Sequence, residues 1–87
     1  MTNSEKSKRL ISAIAETNHL LDKANKKYTD TITCLKMEIA ENKEIGNDIT
    51  ANRSWIDYAN KDKIRVKELE QHIVKLENML SEVTATK

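Results

Sequence analysis

Apolar residues recur through the chain at alternating steps of four and three. With Leu10 taken as a d position, the a positions are Ile14, Leu21, Tyr28, Leu35, Asn42, Ile49, Ile56 and Lys63. The d positions continue through Thr17, Ala24, Thr31, Glu38, Ile45, Asn52, Ala59 and Val66. This is the period of an α-helix that offers one face to another helix. One column of the seam is mostly bulky, the other mostly small or polar. Ile11, Ile32 and Ile39 at e, with Ala13, Leu20, Cys34 and Trp55 at g, widen the stripe. A two-stranded zipper needs only a and d, so the added width predicts contact with more than one neighbouring helix.

The phase changes after Val66. From there Val66, Leu69, Ile73, Leu76, Leu80 and Val83 form a three-four zipper in which Val66 must be read as a. Passing from Lys63 to Val66 to Leu69 takes two successive steps of three, a stammer that overwinds a coiled coil locally. This zipper is the strongest pairing element in the sequence. Val and Ile at a with Leu at d favour a parallel dimer.

Little interrupts the pattern. Thr2 or Ser4 can cap the first helix, and Thr2-x-x-Glu5 fits a capping box. The one credible break is EIGNDIT, Glu44 to Thr50. A continuous helix through Gly46 is the preferred reading, at a cost of about 1 kcal/mol relative to Ala. In the alternative, Gly46 ends one helix in the left-handed conformation and Asn47 or Asp48 caps the next. The expected fold class is therefore all-α: a long helix forming a coiled coil, or a two-helix hairpin broken at Gly46–Asp48. One helical unit is expected over 1–87, with a cap or tail at 1–4, helix over 5–45 and 48–84, and a frayed tail at 85–87.

Composition supports helices and argues against a globular core. The 87 residues are 38% hydrophobic and 33% charged, with one Gly, no Pro and no Phe. Such a chain lacks the bulky and turn-forming residues that a compact interior needs. A net charge of +1 gives no global field toward nucleic acid or an anionic membrane. Residues 1–29 carry six basic against three acidic side chains, residues 30–59 three against six, and residues 60–87 six against five. That polarity can bias how rods align. Cys34 is the only cysteine, so no internal disulfide can form and a reducing cytoplasm is the default. ISAIAETNHLL is cut by Glu16, Asn18 and His19, too polar for a signal peptide, and no run reaches membrane-span length.

Candidate chemistry is sparse. His19, Cys34 and His72 lie far apart, and Glu16-x-x-His19 is a single copy of a spacing that di-iron bundles use twice. Cys34 has no His nearby in sequence and no Gly-rich turn after it, so it reads as a half-buried thiol packing as a small apolar residue. No catalytic, cofactor-binding or metal-ligating set is expected. Lys6, Lys8 and Arg9, then Lys23, Lys26 and Lys27, then Lys61, Lys63, Arg65 and Lys67 form basic clusters. Glu5, Asp22, Asp62 and Glu68 intervene and read as solvated helix faces, which disfavours nucleic acid. Glu38, Glu41, Glu44 and Asp48 repel one another at helical spacing, and a positively charged partner would relieve them. Thr17, Thr31, Glu38, Asn42 and Asn52 weaken the seam but can fix its register.

One segment resembles a known family. In DTITCLKMEIAENKE, the residues Asp30, Thr31, Ile32, Thr33, Leu35, Met37, Glu38, Ile39, Glu41, Lys43 and Glu44 are similar to a segment near the start of the ZapB family, small cytoplasmic coiled coils of bacterial cell division. The match spans residues 30–47 if Asn47 continues it. The chain departs from the family in some ten additional residues before the segment, in Asn42 where Leu is preferred, in Gly46 and in Trp55. The resemblance implies a single long helix pairing as a dimer, commonly antiparallel. It further implies end-on self-assembly and recruitment to the division ring through an adaptor.

The expected function is a noncatalytic coiled-coil scaffold or adaptor that self-associates as a homodimer or higher oligomer and binds another protein. It would act in the cytoplasm, possess no cofactor and make no use of a membrane, and cell division is the setting that the resemblance suggests. The interface is expected at Leu21, Tyr28, Leu35, Ile39, Ile49, Ile56, Val66, Leu69, Ile73, Leu76 and Leu80. The alternative is a small helical-hairpin binding protein that grips a target, such as a secretion chaperone or a phage-encoded inhibitor.

Overall fold

The structure, a computed structural model, describes residues 1–46 and 53–85. The chain is all-α, with two long helices, α1 (Asn3–Glu44) and α2 (Arg53–Ala85), packed together and no strand among the described residues. Local sequence accounts for the start of α1. The Thr2 hydroxyl accepts the Glu5 amide at 3.2 Å, and the Thr2 carbonyl accepts the Lys6 amide at 3.0 Å. Thr2 is thus the N-cap, and Glu5 places a negative charge in the first turn, where the helix dipole favours it.

At the other end of α1 the continuous helix is not formed. Gly46 has φ 71°, in the left-handed region, and its N–H donates to the Lys43 carbonyl at 3.2 Å. That bond is the inner one of a Schellman arrangement, which ends a helix by satisfying a late carbonyl. Gly adopts this conformation without the Cβ penalty that other residues carry. Of the two architectures open to the sequence, the structure has the one broken at Gly46. The predicted caps Asn47 and Asp48, with Ile49 and Asn52, lie outside the described residues.

The helices pair in two compact units, Met1–Asp22 with Lys67–Lys87, and Lys23–Val66. In the first unit the start of α1 lies beside the end of α2, with Ser7 and Ile11 lining one groove with Val83 and Thr84. The two segments therefore run antiparallel. Leu69, Ile73 and Leu76 are buried, and Leu10, Ile14, Leu21, Leu80 and Val83 are half-buried. Full burial of each such aliphatic side chain contributes about 1.5–3 kcal/mol, so this unit is held mainly by apolar packing. Among its described residues the one buried polar side chain is that of Thr17, whose hydroxyl donates to the Ala13 carbonyl of its own helix at 2.7 Å.

The second unit uses the same heptad spacing with different chemistry. Among its described residues the buried ones are Thr31, Asn42, Ala59 and Asp62. Ala24, Tyr28, Leu35, Glu38, Trp55 and Val66 are half-buried. A buried row this small and polar brings helices together without a large apolar gain.

The predicted stammer is absent. The buried and half-buried positions of α2 are Trp55, Ala59, Asp62, Val66, Leu69, Ile73, Leu76, Leu80 and Val83, an unbroken alternation of four and three. Ile56 and Lys63, expected at a, are exposed. The heptad frame had been carried across Gly46, whereas a chain that stops one helix and starts another sets a new phase. On α1 the expected frame holds: every predicted a and d position from Leu10 to Asn42 is buried or half-buried.

Candidate functional site

The chemistry of the molecule is concentrated where α1 meets α2 in the second unit. Thr31 lies on the inner face of α1 because it occupies a d position, and Asp62 lies opposite because it continues the α2 zipper four residues before Val66. The Thr31 hydroxyl donates to Asp62 Oδ2 at 2.7 Å and also approaches the Lys27 carbonyl at 2.9 Å. A hydroxyl has a single proton, so these two acceptors share or compete for it. Lys27, one helical turn earlier, brings Nζ to 3.5 Å from Asp62 Oδ1. The carboxylate is 8% exposed and the lysine side chain 77%. One partner is therefore buried while the other reaches in from solvent.

Burying a carboxylate is costly unless hydrogen bonds and a counter-charge compensate. Here Thr31 supplies the bond and Lys27 the charge, so the arrangement is a polar step joining the helices in one register. A slip of α2 by one heptad would keep Asp62 in the seam but remove it from Thr31, leaving its charge buried alone.

Beside this step runs an open groove. Lys23, Lys26, Lys27, Asp30, Thr31 and Cys34 line it from α1 and Trp55 from α2. Farther along, Tyr58, Lys61 and Asp62 join Trp55 on the α2 side. Trp55 and Tyr58 meet edge to face, with ring centroids 6.1 Å apart and planes at 75°, a favoured geometry for aromatic pairs. Trp55 is half-buried and Tyr58 exposed. Cys34 is exposed, not the half-buried thiol expected of its g position, because the second helix lies across the neighbouring a and d columns and leaves this flank open.

The predicted interface residues fall in three groups. Leu69, Ile73 and Leu76 are buried within the first unit, where Leu21 and Leu80 are half-buried. Tyr28, Leu35, Ile39 and Val66 are half-buried in the second. Ile56 is exposed and off the seam, and Ile49 lies outside the described residues. Asp62 was read from sequence as one of the charges on a solvated face, and Trp55 as a flanking position. Extending the C-terminal zipper backward from Val66 in steps of four and three would have placed both on the seam.

Among the described residues no group of three or more His, Cys, Asp and Glu side chains is placed to hold a metal ion. No described helix is long and apolar enough to cross a membrane. Comparison of the chain with protein-family models, curated proteins and solved structures gives no match.

Proposed function

We propose that this protein is a noncatalytic helical-hairpin adaptor that binds other proteins along the flanks of its helix pair. One observation carries the reading. On α1 the buried positions are Thr17, Thr31 and Asn42, all polar, while on the flanks of that seam Ile32 and Ile39 are only half-buried and Ile11 and Leu20 are exposed. Two helices cover one seam each and cannot cover the flanks. A third helical surface, supplied by a partner, would remove these bulky side chains from water at about 25 cal/mol per Å² of apolar area. Exposed Met37, Ile64 and Tyr58 extend the apolar surface of the second unit.

The reading joins the adaptor expectation to the hairpin alternative. Seam residues close helix on helix within the chain, and the outer flanks do the recognising. Self-association and action in the cytoplasm belong to the same proposal, and a role in bacterial cell division is supported by the resemblance at residues 30–47 alone. Photocrosslinking amino acids at Met37 and Ile64, in cells that make the protein, should give protein adducts. The same probe at Leu76, which lies in the seam, should give none. Adducts confined to the seam position would overturn the proposal.

A further inference from the structure

Two basic clusters that lie far apart in sequence converge on the groove of the second unit. Lys23 and Lys26 line it from α1 and Lys61 from α2. Lys61 adjoins Asp62, which meets Lys27, so the α2 lysine stands across from the α1 cluster. All three are exposed, and among the described residues none of them forms an ion pair. Asp22 and Asp30, one turn to either side of Lys26, and Asp57, one turn before Lys61, leave them unpaired. Lys27, by contrast, already has Asp62.

The groove turns apolar away from these lysines. Trp55 lies beside Cys34, and Tyr58, 54% exposed, meets the Trp55 ring edge to face. An aromatic pair held on a helix and open to solvent offers a rigid, largely apolar contact, the kind that carries most of the energy of an interface. Basic side chains at one end and aromatic ones at the other call for an occupant with carboxylates at one end and a bulky apolar side chain at the other. A nucleic-acid strand matches less well, because it needs positive charge repeated along its whole track. Here the lysines give way, past Cys34, to Glu38, Glu41 and Glu44. The length from Lys23 to Cys34 is about three helical turns, which suits a short peptide segment.

We infer that this groove takes a short, acidic, amphipathic helix of another protein. Its carboxylates stand against Lys23, Lys26 and Lys61, and its apolar anchor covers Trp55 and Tyr58, as when a helix lies in a groove between two others. The inference rests on the reading of the protein as an adaptor and adds the chemistry of one partner. The uncompensated lysines steer that partner in and select against basic competitors, while the aromatic pair supplies the apolar contact.

The test uses the full-length chain, whose single tryptophan is Trp55, so that its fluorescence reports occupancy of the groove. The probe is a synthetic helix-forming peptide of about 16 residues, long enough to hold a helix, with Glu along one face and a Leu one turn beyond them. It should shift Trp55 emission saturably, and binding should weaken as sodium chloride is added. A counterpart with Gln in place of every Glu should bind about tenfold more weakly. The variant K23Q/K26Q/K61Q, which leaves Lys27 in place, should lose about the same factor with the Glu peptide, as expected when three exposed charge pairs are removed. K63Q/K67Q, changed at exposed lysines outside the groove, should bind as wild type does. Circular dichroism of each variant separates lost binding from lost helix. No saturable shift with the Glu peptide, equal binding of the two peptides by wild type, or undiminished binding by K23Q/K26Q/K61Q would each overturn the inference. Tighter binding of an oligothymidylate of about 12 nucleotides than of the Glu peptide would overturn it in favour of single-stranded nucleic acid. Protein adducts from Met37 and Ile64 alongside failure of the peptide would leave the adaptor reading standing and remove only this partner. Absence of both would remove the two together.

Discussion

Thr31 and Asp62, 31 residues apart in sequence, meet across the helix pair at 2.7 Å, and theirs is a hydrogen bond between buried side chains. The two ends of this bond are not equivalent. Thr31 has a second acceptor in the Lys27 carbonyl of its own helix, whereas Asp62 is buried and depends on Thr31 and on a solvent-exposed lysine. That asymmetry predicts opposite outcomes for substitutions at the two ends.

Thr31→Val removes the hydroxyl and leaves the buried carboxylate without its donor. A loss of about 1–3 kcal/mol in unfolding free energy is expected, read from urea titration by circular dichroism. Asp62→Leu removes the buried charge while the Thr31 hydroxyl keeps the Lys27 carbonyl, so its effect should be small or stabilising. The double variant T31V/D62L should lie close to D62L. Simple addition of the two single effects would show that the residues do not act as a pair.

Lys27→Met should cost less than T31V, at most about 1 kcal/mol. An ion pair with one highly exposed member is screened by solvent and salt. The difference between wild type and this variant should shrink as sodium chloride is added, and a salt-independent difference would assign the effect to lost packing of the aliphatic stem.

Gly46→Ala should destabilise the protein by about 1 kcal/mol. A Cβ at this position meets no atom within 4 Å, so sterics with neighbours play no part and the positive φ alone sets the cost. Gly46→Asn should be milder, since Asn tolerates the left-handed region better than Ala does. Stabilisation by G46A in thermal melts would point to a helix running through this position.

Ile73→Ala and Leu76→Ala should each destabilise by about 2–5 kcal/mol, because both side chains are buried and a two-helix unit has few neighbours to close the gap. Val74→Ala, at a position 56% exposed, should stay within about 0.5 kcal/mol of wild type. Equal effects at positions 73 and 74 would contradict the α2 register.

The register shows how far the sequence could be read. Leu10, Thr17, Ala24, Thr31 and Glu38 were assigned to one column of α1 from spacing alone, and each is buried or half-buried. The zipper from Val66 to Val83 was equally legible. Ile56 and Lys63 were misassigned because periodicity reports a phase only within one uninterrupted helix. Asp62 was missed because a lone carboxylate between Lys61 and Lys63 looks like a surface charge until an opposing Thr is known to face it.

The sequence by itself determined that this chain is helical, which faces of its helices are apolar, and where the backbone could turn. Helix propensity, heptad spacing and a single glycine are local properties, carried by residues within a few positions of one another. Tertiary structure alone decided which helix answers which, the new phase of α2, and the burial of Asp62 against Thr31. Those depend on pairing energies between segments distant in sequence, which no local spacing reports.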